Sequence, residues 1–330
     1  MATLGATNLT LLDYAKRLGS DNKIAKIIEL LNDTNDIIPD MVIVEANGTT
    51  GHRTTVRSGL PSVTWRLLNY GVQPSKSRTV QVTDTFGMLE GYSEIDKALA
   101  DLNGNTPEFR LSEDRAFIEA MNQEMAETLF YGNTSTAQEE FMGLAPRYNS
   151  TTAENGGNII TGGGSGSDNT SVWLVVWGEN TCHCIYPKGS KAGFTHEDKG
   201  QVTLEDADGG KYEGYRSHYK WDLGLTLRDW RYVVRIANID RSDLTATGAS
   251  GAKLIELMIK AIHKIPNIRL GKAAFYANND VITFLDLQTL NQSNVNVSYG
   301  QDVHGQKVMT FRGIPVRRCD AILNTEATVS

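Results

Sequence analysis

The sequence predicts an α+β fold, and two observations support this prediction. Several segments place apolar residues at helical spacing, whereas others alternate apolar and polar residues or are apolar throughout, as strands are. The chain has 330 residues, of which 40% are hydrophobic and 22% charged. It is therefore long enough for one large core or two smaller ones. We find no internal repeat.

The composition excludes several classes of protein. It is unlike that of disordered, collagen-like or coiled-coil chains, and no apolar run approaches the roughly 20 residues that span a bilayer. The N-terminal sequence lacks the basic and apolar regions of a secretory signal, so we expect a product of the cytoplasm. The net charge of −7 argues against a general nucleic-acid binder, and three cysteines indicate reduced thiols rather than a disulfide framework.

Residues 8–35 are predicted to form two short helices. Apolar residues recur near helical spacing on both sides of a break at Gly19-Ser20-Asp21. Either an arm that packs on another surface or an ordinary helical hairpin fits this pattern, and the sequence favours neither.

Residues 46–83 are basic within an acidic protein. They contain no Asp or Glu, and their basic residues are Arg53, Arg57, Arg66, Lys76 and Arg78. Strand patterns are predicted at 54–56 and 63–67, separated by a turn at 58–61, and again at 79–83. Because this two-stranded excursion is too polar for a core of its own, we expect it to lie on a partner surface.

Residues 84–140 invert this charge, with 13 acidic residues against three basic ones. Within them, 112–131 is predicted as a helix that begins at the cap Ser112 and ends before Gly132. Its apolar stripe recurs at a spacing of four residues: Phe117, Met121, Met125 and Leu129. Its surface acids are Glu113, Glu119, Glu124 and Glu127.

The basic hairpin and the acidic helix suggest an electrostatic contact. They could fold onto each other within one chain, or one subunit's hairpin could lie on its neighbour's helix. Chance segregation of surface charge is a third possibility.

The rest of the chain alternates strands and helices. A flexible loop is predicted at 150–170 because it is rich in Gly, Ser, Thr and Asn. Strands are predicted at 171–177, 181–186, 212–221, 225–237 and 273–277, and helices at 250–265, ended by Pro266, and at 280–290. The chain closes with a bent strand pair at 307–319 that turns at Gly313.

The residues give little support for catalysis or metal binding. On a strand, Cys182 and Cys184 face one side and His183 the other, so buried thiols are favoured over a zinc site. The segment 206–209 resembles the start of a calcium loop but lacks its later ligands, which favours a hairpin turn. The Gly162–Gly166 run has no following Lys-Ser/Thr, and the histidines are scattered, so neither a phosphate loop nor a catalytic motif is present.

The order of these elements resembles the major capsid proteins of tailed phages of the Hong Kong 97 (HK97) type. The helix 250–265 with its following strand, the closing segment 311–316, and the hairpin and helix at 46–131 carry this resemblance. The segments 54–66 and 221–231 are similar to capsid proteins of short-tailed phages (podoviruses) of Gram-negative bacteria.

The resemblance implies an HK97-like division of the chain. The implied parts are an N-terminal arm (1–40), an extended β-hairpin loop (41–90), a peripheral domain with the spine helix (91–140), a mixed α/β axial domain (141–295) and closing strands of the peripheral domain (296–330). The hairpin would lie over the long helix of an adjacent subunit. Intersubunit contacts are then expected at Arg53, Arg57, Trp65, Arg66, Lys76 and Arg78 on the hairpin and at Glu113, Glu119, Glu124 and Glu127 on the helix.

The resemblance also implies function and partners. A structural protein of the virion is expected, made in the bacterial host cytoplasm, that assembles from pentamers and hexamers into an icosahedral shell around double-stranded DNA. No enzyme activity, cofactor or membrane contact is expected, and contact with the DNA would be weak and non-specific. We expect a noncovalent shell, although Lys76 and Asn278 or Asn279 could in principle form an isopeptide bond. A scaffolding protein, a portal and a decoration or cement protein are the expected partners.

Two other classes of function remain open at this point. An aromatic-rich sheet carrying Trp173, Trp177, Trp221 and Trp230 could form a binding or adhesion module for a glycan or peptide. An enzyme would have to use Cys182, Cys184 or the scattered acids.

Overall fold

The computed structural model describes residues 9–17, 33–104, 106–206, 208–245, 251–291, 297–301 and 307–330. Helices and strands are interspersed along the chain, which confirms the α+β prediction. The α-helices within these ranges are α1 Leu11–Lys16, α2 Ile37–Asp40, α3 Lys97–Ala100, α4 Thr106–Tyr131, α5 Leu144–Arg147, α6 Leu254–Lys264 and α7 Asn279–Asn291. Of these, no helix is both long and apolar enough to cross a membrane.

The strands form one large mixed sheet and a separate two-stranded hairpin, which is made of β2 and β3. Their bounds are β1 Ile43–Glu45, β2 His52–Gly59, β3 Arg78–Asp84, β4 Phe86–Asp96, β5 Ile159–Thr161, β6 Asn169–Trp177, β7 Cys182–Tyr186, β8 Phe194–Glu205, β9 Lys211–Leu227, β10 Val233–Asp240, β11 Lys272–Ala277, β12 Val297–Gln301, β13 Lys307–Phe311 and β14 Ile314–Arg318.

Two compact units divide the chain. The first contains residues 1–34, 88–126 and 193–222, and the second contains 35–87, 127–192 and 223–330. The five-segment division made from the sequence stays a prediction for the assembled subunit, but the structure groups two of its segments differently. Residues 193–222 belong to the unit that holds most of α4, and β14 pairs in parallel with β11 within the second unit. The difference arises because the predicted parts are continuous stretches of sequence, whereas strand pairing joins segments that are far apart in the chain.

The N-terminal segment 9–17 packs on α4 within the first unit. Tyr14 is 2% exposed, its ring centre lies 5.0 Å from that of Phe109, and its hydroxyl donates to the carbonyl of Leu102 at 2.7 Å. Arg17 forms an ion pair with Glu113 at 2.6 Å. This part of the predicted arm therefore packs on its own chain. Residues 18–32, including the predicted break, lie outside the described residues.

Helix α4 begins earlier than predicted, at Thr106 rather than Ser112. Pro107 lies in its first turn, where a missing N–H costs no hydrogen bond. Ser112 is not a cap, because its hydroxyl donates to the carbonyl of Phe109 within the helix. The predicted end is confirmed, since the Gly132 N–H donates to the carbonyl of Thr128 at 2.9 Å. The 26 residues span about 39 Å.

The first unit also contains most of a long hairpin formed by β8 and β9, and the last residues of β9 belong to the second unit. The predicted turn after Asp206 is confirmed, because its carboxylate accepts the N–H groups of Asp208 and Gly210. Separate strands at 212–221 and 225–237 were wrong, since β9 continues to Leu227. Gly224 allows β9 to pass close to the backbone of Thr85. A side chain at this position would clash, because its Cβ would lie 2.5 Å from the carbonyl oxygen of Thr85.

The core of the second unit lies between the sheet and two helices. Strand β6 is buried along its whole length and is antiparallel to both β10 and β11. Its side chains Val172, Leu174 and Val176 pack in one cluster with residues of α6 and α7. The predicted strands at 171–177, 181–186 and 273–277 and the helix at 280–290 are confirmed, while α6 begins at Leu254 rather than Ser250.

The closing strand pair also forms as predicted. Strands β13 and β14 are antiparallel, and the turn between them places Arg312 and Gly313 at positive φ, 50° and 81°. Such turns match the twist of the flanking strands and favour glycine.

Candidate intersubunit interface

The hairpin of β2 and β3 is anchored at its root in the second unit. Asp84, 5% exposed, forms an ion pair with Arg147 at 2.8 Å, and the same guanidinium donates to the carbonyls of Met142 and Leu225. The side chain of Asn47 both donates to and accepts from the backbone of Arg53. These contacts fix where the hairpin leaves the sheet.

A histidine pair lies beside this root. The ring centres of His52 on β2 and His183 on β7 are 5.6 Å apart. His183 is 1% exposed, and neither ring nitrogen has a hydrogen-bond partner among the described residues. Burial, followed by the neighbouring His52 and Arg228, lowers the pKa of His183 to about 4. The imidazole is therefore neutral at physiological pH.

The two faces of the hairpin differ in chemistry. Val56 pairs with Val80 and Thr54 with Val82, which places the valines on one face. Arg53 and Arg57 pair with threonines on the opposite face. The valine face lines a groove of about 620 Å³ together with residues 227–231.

The tip of the hairpin, residues 60–77, is the most exposed apolar part of the described chain. The predicted strand at 63–67 and the turn at 58–61 were wrong, because β2 ends at Gly59 and β3 begins at Arg78. A strand needs a partner for its backbone groups, and 60–77 pairs with no strand among the described residues. Seven large apolar side chains project from the tip, at 49–103% exposure: Leu60, Val63, Trp65, Leu67, Leu68, Tyr70 and Val72.

Of these seven side chains, only Trp65 was predicted from the sequence as an intersubunit contact. A strand with one solvated face alternates in polarity, whereas Leu67 and Leu68 are adjacent apolar residues. The tip also contains Pro61 and Pro74, which cannot donate to a ladder. These two signals distinguish an apolar loop from a strand.

All the predicted hairpin contacts are exposed. These contacts are Arg53, Arg57, Trp65, Arg66, Lys76 and Arg78. Within the described part of the chain, none of the five basic residues forms an ion pair. Their charges are therefore available to a second molecule.

The predicted acids of α4 differ in exposure, Glu113 and Glu119 being half-buried. Glu113 pairs with Arg17 of the same chain, and Glu119 accepts from the side chain of Gln123 and the N–H of Asp33. Glu124 and Glu127 are exposed. The helix also exposes Leu111 (53%) and Ile118 (47%), which the sequence analysis did not select. They are seven residues apart and so lie on nearly the same face.

The cysteines considered as candidates for catalysis or metal binding are packed in the protein interior. Cys182 and Cys184 are fully buried, and burial raises the pKa of the Cys182 thiol to about 12 and also that of Cys184. The register pairs Cys182 and Cys184 with leucines and His183 with Thr226, as expected for opposite faces. In the described ranges, no three His, Cys, Asp or Glu side chains are placed to share a metal ion.

The aromatic binding surface is not formed. Three of its four tryptophans are buried, with Trp173 0%, Trp177 1% and Trp221 8% exposed. They pack inside the protein and present no platform for a glycan or peptide.

Comparisons with known proteins identify the family. A sequence model of the family described as major capsid protein GP7 matches residues 19–330. A comparison with curated protein sequences finds no significant match.

Solved structures of phage capsids are similar to this chain. A chain from the near-atomic cryo-EM structure of bacteriophage epsilon15 is 38% identical, with a TM-score of 0.81 over 100% of this chain and 99% of that one. A chain of the bacteriophage JBD30 capsid shares the fold alone, at 8% identity and a TM-score of 0.50 over 88% of this chain and 92% of that one. The chain therefore belongs to the major capsid protein GP7 family and is a subunit of a bacteriophage capsid shell with the HK97-like fold.

Proposed function

We propose that the hairpin, with its tip at 60–77, is the clamp that holds neighbouring subunits of the icosahedral shell together. In the pentamers and hexamers of that shell, it lies over helix α4 of an adjacent subunit. The shell is held without covalent cross-links.

The observation that carries this proposal is the exposure of the seven apolar side chains of the tip. Soluble monomers rarely expose contiguous apolar patches above a few hundred Å². Burying one large apolar side chain contributes about 1.5–3 kcal/mol. Because a shell subunit repeats the same contact at every edge, even a few of these side chains stabilise the assembly strongly.

Charge sets the register of this contact. Arg53 and Arg57 lie on one face of the hairpin, and Arg66 and Lys76 lie in its tip. Glu124 and Glu127 of α4 are exposed and provide the opposite charge. Single surface ion pairs contribute only about 0–1 kcal/mol, so these charges serve orientation and association rate more than affinity.

The receiving surface on α4 is apolar as well as acidic. Leu111 and Ile118 are exposed within a folded helix, where they offer the tip an apolar contact. The apolar contact supplies most of the binding energy. Glu124 and Glu127 lie at least about 9 Å further along the helix than Ile118 and on other faces of it, so they meet the hairpin at a separate point.

One observation favours a noncovalent shell. The amide of Asn278 is already engaged, since it donates to the carbonyl of Ile322 at 2.7 Å and accepts from the N–H of Asp280. Subunits boiled in detergent should therefore run as single chains, and a ladder of cross-linked species would contradict this.

The direct test of the clamp is Trp65→Ala. Interface tryptophans in packed centres are often worth 2 kcal/mol or more, so we expect shells to be lost in electron micrographs and in sedimentation. Ser62→Ala, a polar change in the same tip, should leave assembly intact. Normal shells from the Trp65→Ala chain at physiological salt would refute the clamp.

The charge contribution is tested separately by R53E/R57E/R66E. Assembly should slow or fail while the circular dichroism of the unassembled chain is unchanged, because these side chains are exposed. Shells that form at the normal rate would show that the charges have no role.

The remaining partners follow from the resemblance to capsid proteins of short-tailed phages of Gram-negative bacteria. We propose that a scaffolding protein directs assembly, that a portal occupies one vertex, and that a decoration or cement protein binds the outer surface. Co-purification of these proteins with intact particles tests each of them.

A further inference from the structure

A basic patch on the second unit is separate from the proposed clamp. We define the α6 basic patch as Lys260, His263 and Lys264 of α6 with Arg269 and Lys272, which follow the helix. All five side chains are exposed. Four of them are lysine or arginine cations, and in a protein with a net charge of −7 such a concentration requires an explanation.

The members of the patch lie close together. Lys260 and Lys264 are one helical turn apart, about 6 Å along the axis. Arg269 lies in a single 3₁₀ turn, Ile268–Leu270, which contacts β11, and Lys272 is the first residue of that strand. The five steps of chain from Lys264 to Arg269 span at most about 18 Å. Lys260 and Lys264 therefore lie within about one Debye length of each other at physiological salt.

Few acids compensate the patch. In the described ranges, no ion pair is found for Lys260, Lys264, Arg269 or Lys272. The nearby acid on α6, Glu256, pairs with Lys253 at 3.6 Å. The loop between β6 and β7, which approaches Gly271, contributes one further acid, Glu179.

The local structure does not account for this charge. Like charges four residues apart on a helix are destabilising. The helix dipole offsets this for Lys264 in the last turn. It does nothing for Arg269 and Lys272, which lie beyond the helix. The remaining repulsion is relieved if the patch meets anions of another molecule.

We propose that the α6 basic patch contacts the phosphate backbone of the DNA that the shell encloses. This proposal rests on the shell function but not on the hairpin clamp. The composition of the patch favours DNA over a protein surface, because protein interfaces are depleted in Lys and enriched in aromatic residues. The patch has three lysines and no aromatic residue, and Leu270 is its exposed apolar neighbour, at 48%. Lysine ammonium groups suit sequence-independent phosphate contacts.

The physical consequence is a weak, salt-dependent contact. Each phosphate neutralised by a cation contributes a slope of about −0.9 to log K against log salt for duplex DNA. A handful of such contacts per subunit holds the genome against the shell at many points. The same contacts release it readily, because each one exchanges with salt.

The test measures binding of the unassembled full-length chain to a fluorescent 30-base-pair DNA duplex, at low salt and in a salt series. The variant is K260E/K264E/K272E, and the matched control is K188E/K191E/K211E, which changes three exposed lysines and alters the net charge equally. We expect about a tenfold or greater loss of affinity and a shallower salt slope for the patch variant. The control should lose less than threefold. The hairpin arginines add a contribution that both variants share.

Three outcomes would overturn the proposal. Equal losses in the two variants would mean that binding follows net charge alone. Unchanged affinity in the patch variant would remove the DNA contact, and unchanged affinity combined with failed assembly would assign the patch to a subunit interface. The neutral variant K260Q/K264Q/K272Q, checked by circular dichroism, should also lose affinity and slope, though less than the charge-reversed variant because it adds no repulsion. Trp65→Ala should leave DNA affinity unchanged, which separates this proposal from the clamp.

Discussion

Two tryptophans show how differently the chain uses its apolar residues. Trp173 on β6 is 0% exposed and packs against Phe130 and Tyr148. Trp65 in the hairpin tip is 103% exposed. The two side chains are equally hydrophobic, but only Trp173 is buried within its own chain. We therefore expect Trp65 to be buried against another subunit. A shell subunit divides its apolar residues between its own core and the cores that it completes with its neighbours.

The largest expected effect tests this division directly. Trp173→Ala should lower the free energy of unfolding by about 3–5 kcal/mol, because it leaves a cavity in a packed core. Trp65→Ala should change it by less than about 0.5 kcal/mol, since an exposed side chain loses few contacts. Chemical denaturation of the unassembled chain measures both. Equal losses would show that the tip packs on its own chain in solution.

A smaller effect concerns pH at the boundary between core and hairpin. The pKa of His183 is about 4 in the folded protein and about 6.5 in a solvated chain, so the unfolded or opened state binds the proton more readily. Stability is therefore full above about pH 6.5 and falls as pH drops towards 4. The loss reaches about 3 kcal/mol once the histidine is protonated in both states.

The variant His183→Gln, which cannot titrate, should flatten this dependence in denaturation curves between pH 7 and 4. The control His263→Gln removes an exposed histidine and should leave the slope unchanged. A slope unaltered by His183→Gln would place the acid sensitivity elsewhere.

The smallest effect compares two glycines. Gly313 has φ +81° in the closing turn, so Gly313→Ala should cost about 1 kcal/mol. Gly71 in the tip has neither a positive φ nor a neighbour within 4 Å, so Gly71→Ala should be close to neutral. Thermal unfolding of the two variants measures the difference. Destabilisation by Gly71→Ala would mean that the tip is more tightly packed than its exposure indicates.

The sequence predicted those elements whose pattern is complete within a short segment. Strand β6 is apolar along its length, β7 and β11 are short apolar runs, and Gly313 marks a turn, and each of these forms as predicted. The charge of the hairpin was also visible, because charge depends on residue type alone. The start of α4 was missed, although Pro107 is a common residue of a first helical turn.

What remained hidden depends on contacts between distant segments. The pairing of β14 with β11 and the use of Glu113 by Arg17 join residues far apart in the chain. The same holds for the tip, because the pattern at 63–67 suits a strand but no strand of the described segments lies beside it.

By itself, the sequence determined the α+β class, the basic hairpin, the acidic helix and, by resemblance, the capsid family. Only the tertiary structure decided which charges are already paired, which tryptophans are core, and which apolar residues are left for a neighbour. The physical reason is that secondary structure follows local periodicity, whereas burial and pairing depend on which distant segment arrives beside each residue.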